Sequence, residues 1–350
     1  MRKSHKALFV AAATAATLVS SPTAHAHAQK QHASIAHKKN KQVILTEKEK
    51  EKEKEEKLTN EAKAFFERVK NHPTLLKDME IAAPHTGMPV DKQLTLIKWE
   101  YEGAPLNTPK ASVKNSASSA TGVMQILDNT FIEMVAKYGQ RYRGIIAEHY
   151  QQTGRDLDAV LPFVAMKGGA VVLNHQAYNA QAAKGLKGAL LYAQKHGQDL
   201  KKAKHAFLAQ HGSLERSILR LRSTPLVSLL LGQTALKEAM ASRGATQAKT
   251  SSIGDIYAAH QFGPTRSQKM VKHPHTPMKC LVPLPTLKNN NISANKTPAQ
   301  LKLEHEKEAK VLGMCFREDL AKLKNQKKPV QAVARTKQSQ GFLARWMSPS

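Results

Sequence analysis

Two cysteines in 350 residues are too few to staple a scaffold, so the chain must fold on an apolar core rather than on disulfides. In an oxidising compartment Cys280 and Cys315 are free to pair or to stay as thiols, and their spacing does not choose between the two. The histidines are scattered, and none forms a tight group with cysteine or acidic partners, so no metal site is expected and no cofactor is implied. Beyond the N-terminal stretch no segment is long and apolar enough to span a bilayer. Convincing period-two alternation is also missing, which points to an all-α fold. Acids are the scarcest charged class: 27 Asp and Glu stand against 54 Lys and Arg, a formal net charge of +27.

Residues 1–28 have the three parts of a secretory signal. Arg2, Lys3 and Lys6 form a positive start, Ala7 to Val19 an apolar stretch, and the run around Ala24, Ala26 and Ala28 a small-residue cleavage site. The apolar stretch is shorter than the ~20 residues a membrane helix needs, so a cleaved signal is expected, with no transmembrane anchor after cleavage. Export places the mature chain in the periplasm. Removing the signal takes away three cations and leaves +24. Such a charge draws the protein to polyanions, and export argues for an anionic envelope surface and against nucleic acid. The basic start from His27 to Lys41 and the basic C-terminal end read as electrostatic tethers.

Residues 29–60 form a charged linker that contains "TEKEKEKEKEEK"; Thr46 and Glu49 have capping-box spacing, which allows a solvated helix or a flexible spacer. Core signal starts at Ala62, with Phe65, Phe66 and Val69, and continues through Leu94, Leu96, Ile97 and Trp99. Thr130 with Glu133 predicts a helix start, Phe131, Met134, Val135 and Tyr138 its apolar face, and Gly139 its C-cap. Helical periods continue over 140–240, including Leu190, Leu191, Phe207 and Leu208. Ser252 and Asp255 predict another helix start, with Gly263 and Pro264 at its far end. The domain is expected to cover 61–272. Prolines and an "NNN" run mark 273–350 as a loose basic tail, with one further helix at 298–324.

The motifs that bear chemistry are "LIKWEYEG" at 96–103, "SSATGVMQI" at 118–126, "RSTPLVSLLLGQTALKEAM" at 222–240 and "IYAAHQFGP" at 256–264. The first two resemble the family 1 lytic transglycosylases, in which a helix ends in a catalytic glutamate some way before a Gly–hydrophobe–Met/Phe–Gln signature. The last two are similar to the C-terminal half of a proteobacterial branch of that family. Together the matches extend over about half of the chain. The resemblance implies a lysozyme-like helical domain of the goose-lysozyme type, with inserted helices between the matched blocks and disordered basic termini.

It further implies that Glu100 is the catalytic acid and base, with Glu102 as the reserve, and that Gly122, Met124, Gln125 and Tyr257 form the substrate site. Tyr178, in "AYNAQ", is the alternative to Tyr257, and His260 is read as structural. Asp128 reads as a helix-start residue, and no second catalytic carboxylate stands out. The expected reaction is cleavage of the MurNAc–GlcNAc β-1,4 bond in peptidoglycan glycan strands, leaving 1,6-anhydro-MurNAc ends. Tyr101 stands where the family usually has serine, and residues are inserted before "SSATG"; both departures favour the alternative of a catalytically degenerate, cell-wall-binding protein. A cationic protein that grips polyanions by charge alone is the third possibility.

Overall fold

The computed structural model describes residues 48–100, 119–242, 244 and 251–346, with 327–346 described as backbone. The expected signal segment and Glu102 therefore lie outside the described residues. The chain divides into two compact units, one ending at Glu56 and one beginning at Lys57. Within the first, 48–56 is helical and exposed throughout, which is how a run of alternating Glu and Lys satisfies its backbone without burying charge.

The second unit is mostly helical. Its helices are α1 (57–71), α2 (Leu75–Thr86), α3 (Val90–Glu100), α4 (Asp128–His149), α5 (Gln151–Val160), α6 (His175–Lys195), α7 (Leu200–His211), α8 (Leu214–Arg220), α9 (Pro225–Ala241), α10 (Ile253–Lys272), α11 (Leu284–Asn289) and α12 (Pro298–Trp346). One short antiparallel hairpin, Val164–Lys167 with Ala170–Leu173, interrupts the stretch read as continuously helical. It turns through Gly168 and Gly169, both with positive φ.

α9 is the axis of the core. Thr224 precedes it and Pro225 opens it, at the position where a missing N–H costs nothing. Leu226, Val227, Leu229, Leu230 and Leu231 are all within 1 % of full burial, so the helix is surrounded on every side. A buried amide ladder ties it to α2 and α3. Gln233 Nε2 donates to Gln93 Oε1 (2.9 Å), and Gln93 Nε2 donates to the carbonyls of Met79 (3.0 Å) and Met88 (2.8 Å). Both glutamines are fully buried, so every lost contact would strand an amide, and the ladder fixes the axial position of α3. Glu100 is the last described residue of α3.

α4 departs from its expected limits. It starts at Asp128 rather than at a Thr130–Glu133 box, and it runs through Gly139 to His149. Gly139 lies inside the helix rather than capping it, close against Leu161: a Cβ there would meet Leu161 Cδ2 at 2.7 Å, so that side chain would have to turn aside. At α10 the expected capping box is present, with Ser252 and Asp255 each bonded to the other's backbone N–H. Gly263, at φ 74° and ψ 168°, kinks that helix just before Pro264.

The boundary expected near 272 moves. Met278, Val282, Leu287 and Leu301 form a small cluster with Phe262 and Met270. Farther along, Leu312, Cys315 and Phe316 of α12 join the main core. Phe316 is fully buried, its ring 5.9 Å from Phe65 and 6.4 Å from Phe66 on α1. The expected helix over 298–324 starts at Pro298, behind a box in which Gln300 N donates to Thr297 Oγ1 and Thr297 N to Gln300 Oε1, and it runs on to Trp346. The prolines of 273–298 shape turns that carry Met278, Val282 and Leu287 inward while Leu284 stays exposed. Cys280 is exposed and Cys315 buried, and both are free thiols.

Candidate active site

Residues 119–126, the described part of the "SSATGVMQI" segment, form a tight loop before α4, closed by an antiparallel bridge in which Thr121 and Ile126 exchange both backbone hydrogen bonds (3.3 and 3.2 Å). Gly122 sits at φ 82°, and a Cβ there would meet the Arg222 carbonyl at 2.7 Å and Ser228 Oγ at 2.8 Å. Both the left-handed backbone and the close approach demand glycine. Met124 N donates to Ser228 Oγ (3.2 Å), and the Met124 side chain is buried against Gly232 of α9. Met124 thus belongs to the core and does not face a ligand. Gln125 has φ 43°, unusual for a non-glycine residue, and both its N–H and its Nε2 donate to the Gly122 carbonyl at 3.0 Å. Such local strain persists only where the surroundings over-determine it.

What over-determines it is Arg222. This residue is 6 % exposed, and its Nη1 donates to the carbonyls of Ile126 (2.8 Å) and Ser119 (3.0 Å). The same nitrogen lies 2.7 Å from Asp128 Oδ1, so Asp128 neutralises the clasp at the start of α4. The "RSTP" block and the "SSATG" block, about a hundred residues apart, are therefore halves of one structural unit. Arg222 was visible in sequence only as part of a pattern.

Glu100 lies on α3 and Tyr257 on α10, and these two helices meet through aromatic rings. The Trp99 and Tyr257 rings lie 4.6 Å apart, and both approach the imidazole of His305, at 5.4 and 5.1 Å. Offset aromatic contacts of this kind weld α3, α10 and α12 around the glutamate. Trp99 Nε1 is buried there without a hydrogen-bond partner. Glu100 itself pairs with a different residue of α10. His260 Nε2 lies 3.2 Å from Glu100 Oε1, and each side chain is 17 % exposed. Burial, the strongest influence on this imidazole, pulls its pKa down; the charge and hydrogen bond of Glu100 together outweigh it and leave the pKa raised. His260, read from sequence as structural, is the partner of Glu100. Its spacing of three from Tyr257 on one helix was the available signal.

His260 also lines a cleft of about 520 Å³ with Gln125, Thr130, Glu133, Glu238 and Arg266. Gln125 and His260 come together here, while Glu100 and Tyr257 are not among the residues that line it. Lys137 bridges the two acids of the cleft, 2.6 Å from Glu133 and 3.1 Å from Glu238, and Tyr138 donates to Glu238 at 2.6 Å. Gln261, the next residue after His260, also lines the cleft, and its Oε1 is buried without a partner. No lining residue comes from 135–231, so α5 to α8 contribute nothing to the cleft lining. Tyr178 is elsewhere, buried against Phe163 (5.4 Å) with its hydroxyl 2.7 Å from Ser217 Oγ. Among the described residues no three His, Cys, Asp or Glu gather as metal ligands, and no helix is long and apolar enough to cross a membrane. Compared with models of known protein families and with curated proteins, the chain matches none.

Proposed function

We propose that this protein is a lysozyme-like lytic transglycosylase, exported to the periplasm, that cuts peptidoglycan glycan strands with Glu100. One observation carries the reading. Glu100 of α3 meets His260 of α10 across 160 positions of sequence, beside a cleft that His260 and the Gln125 loop line. Cleavage of a glycosidic bond needs an acid for the leaving oxygen, and most such enzymes use two carboxylates. Here one carboxyl would serve twice. Glu100 protonates the leaving oxygen while the substrate's N-acetyl group stabilises the cation; the carboxylate then removes the proton of the sugar's own 6-hydroxyl as it closes the 1,6-anhydro ring.

A proton passed from His260 Nε2 to Glu100 Oε1 across this 3.2 Å contact would turn the ion pair into a neutral pair whose carboxyl can act as the acid. Gln125 and Gln261 offer amide groups to the glycan, and Tyr257 with Trp99 holds the helix end. No cofactor enters this scheme, and the basic termini would hold the enzyme to the anionic envelope surface.

The same ion pair favours a second reading, since a carboxylate neutralised by an imidazolium suits a binding protein that has lost its chemistry. Mass spectrometry of purified peptidoglycan after incubation separates the two. The wild-type chain is expected to leave 1,6-anhydro-MurNAc ends. Glu100→Gln, nearly isosteric, is expected to lower their yield by at least ~10²-fold. Sacculus binding without new ends in the wild type would establish the binding protein.

A further inference from the structure

Helices α6 and α7 form an arm. The single turn 196–199 joins them, and α6 alone is about 30 Å long by its rise per residue. Of α6 only Tyr178 and Ala193 are buried, and of α7 no residue at all. The arm is fastened at its base, where the Tyr178 hydroxyl meets Ser217 Oγ of α8 at 2.7 Å and its ring packs on Phe163. Between the two helices the packing relies on small residues. Phe207 lies over Gly185, where a Cβ would come within 3.1 Å of the ring.

The distal end presents apolar groups to solvent. Leu191 is 58 % exposed, Tyr192 59 %, Leu200 45 %, and Leu208, farther down α7, 41 %. Leu191, Tyr192 and Leu200 all fall within about one helical turn of the 196–199 connection. The arm also carries Lys184, Lys187, Lys195, Lys201, Lys202 and Lys204, of which Lys195, Lys201 and Lys202 flank the 196–199 connection. The one acid in 175–211 is Asp199, whose carboxylate accepts the N–H groups of Lys201 (2.8 Å) and Lys202 (3.0 Å) as the cap of α7. Six cations against one acid give this arm a net +5 with histidines neutral.

We infer that the tip of the α6–α7 arm is a docking surface for an anionic lipid bilayer. Two gains coincide at such a boundary and nowhere else. Leucine and tyrosine leave water for the region beneath the headgroups, and the lysines, reaching up along their alkyl stems, meet lipid phosphates. Each lysine near an anionic leaflet adds attraction that salt weakens. A soluble polyanion would satisfy the lysines but leave the apolar tip in water. The surface is independent of the cleft, so it stands whether or not the glycan-cutting reading does.

Flotation of the full chain with phosphatidylcholine vesicles, with and without phosphatidylglycerol, tests this. Binding is expected only with phosphatidylglycerol. The variant Leu191→Ser/Tyr192→Ser/Leu200→Ser, which keeps every charge and the basic termini, is expected to bind at least ~10-fold more weakly, a loss of about 1.4 kcal/mol. In Tyr192→Trp the emission of the new indole is expected to move to the blue on those vesicles. These side chains are exposed, so circular dichroism should report an unchanged fold. Equal flotation of the triple variant and the wild type would overturn the inference, because charge elsewhere would then suffice. An unshifted emission at position 192 would overturn it as well. So would a wild type that ignores vesicles and is dimeric by sedimentation while the triple variant is monomeric, which would give the surface to a second copy. Loss of single-stranded oligonucleotide binding in the triple variant, with no vesicle binding in either chain, would give it to a nucleic acid.

Discussion

The α6–α7 arm and the first half of α12 are both long, lysine-rich helical segments with leucines at helical spacing, yet one stands in solvent and the other closes the core. Over 298–326, six Lys and Arg alternate with five Asp and Glu, so the charge nearly cancels. Acids elsewhere then pair with its cations: Asp255 with Lys302 at 2.9 Å and Asp91 with Arg317 at 2.8 Å. Its buried residues Leu312, Cys315 and Phe316 lie on one stripe that Phe65 and Phe66 receive. The arm has almost no acid with which to dock. Its apolar residues are divided between the α6–α7 seam, where Phe207 lies, and the open tip. What distinguishes the two is therefore a matching surface rather than hydrophobicity. A leucine is buried only where another element arrives to cover it.

The sharpest way to break this comparison is to cut one large side chain from each region. Phe316→Ala is expected to lower the free energy of unfolding by about 3–5 kcal/mol in denaturant titrations, because it empties a fully buried site facing two phenylalanine rings. A loss under ~1 kcal/mol would mean that α12 is an appendage, as its composition suggests.

A smaller effect belongs to the packed body and involves no residue of the arm. Asp78 is 1 % exposed, with the Tyr150 hydroxyl 2.8 and 2.7 Å from its two oxygens, and burial pushes its carboxyl from 3.8 up to about 6. Between those values the folded chain holds a proton that the unfolded chain has released. Stability should therefore fall as pH rises from about 4 to 6, by roughly 2–3 kcal/mol, and stay level above that range as far as this group is concerned. Asp78→Asn is expected to remove that slope in unfolding curves taken across the range. Deleting α6 and α7 is not expected to change it.

The smallest effect lies in the arm itself. Leu208→Ala, at a side chain 41 % exposed, is expected to change stability by no more than ~0.5 kcal/mol. A loss of several kcal/mol would show that the arm is covered by something, and a second copy of the chain would be the first partner to seek by sedimentation.

Local order was legible because it rests on local rules. The Ser252–Asp255 box, Pro225 at the head of α9, the amphipathic face of α4 and the start of α12 at Pro298 all follow from hydrogen bonds and side-chain spacing within a few residues. The need for glycine at 122 was legible as well. The end of α4 was not, because Gly139 lies inside the helix, close against Leu161, rather than capping it. Nor was the hairpin at 164–173, whose valines fit a helical period equally well. At the site, the residue types of Glu100, Gln125 and Tyr257 could be chosen from pattern, but which imidazole or hydroxyl meets the glutamate depends on how α10 is rotated about its axis. That rotation is fixed by Trp99, His305 and the packing of α12, across more than forty positions in one direction and more than a hundred in the other. The sequence by itself determined the apolar face of α4 and the starts of α10 and α12. Only the tertiary structure decided that His260 faces Glu100, that Arg222 clasps the Gln125 loop, and that Phe316 lies inside while Leu191 lies outside, because each of these is a contact between surfaces that no local period encodes.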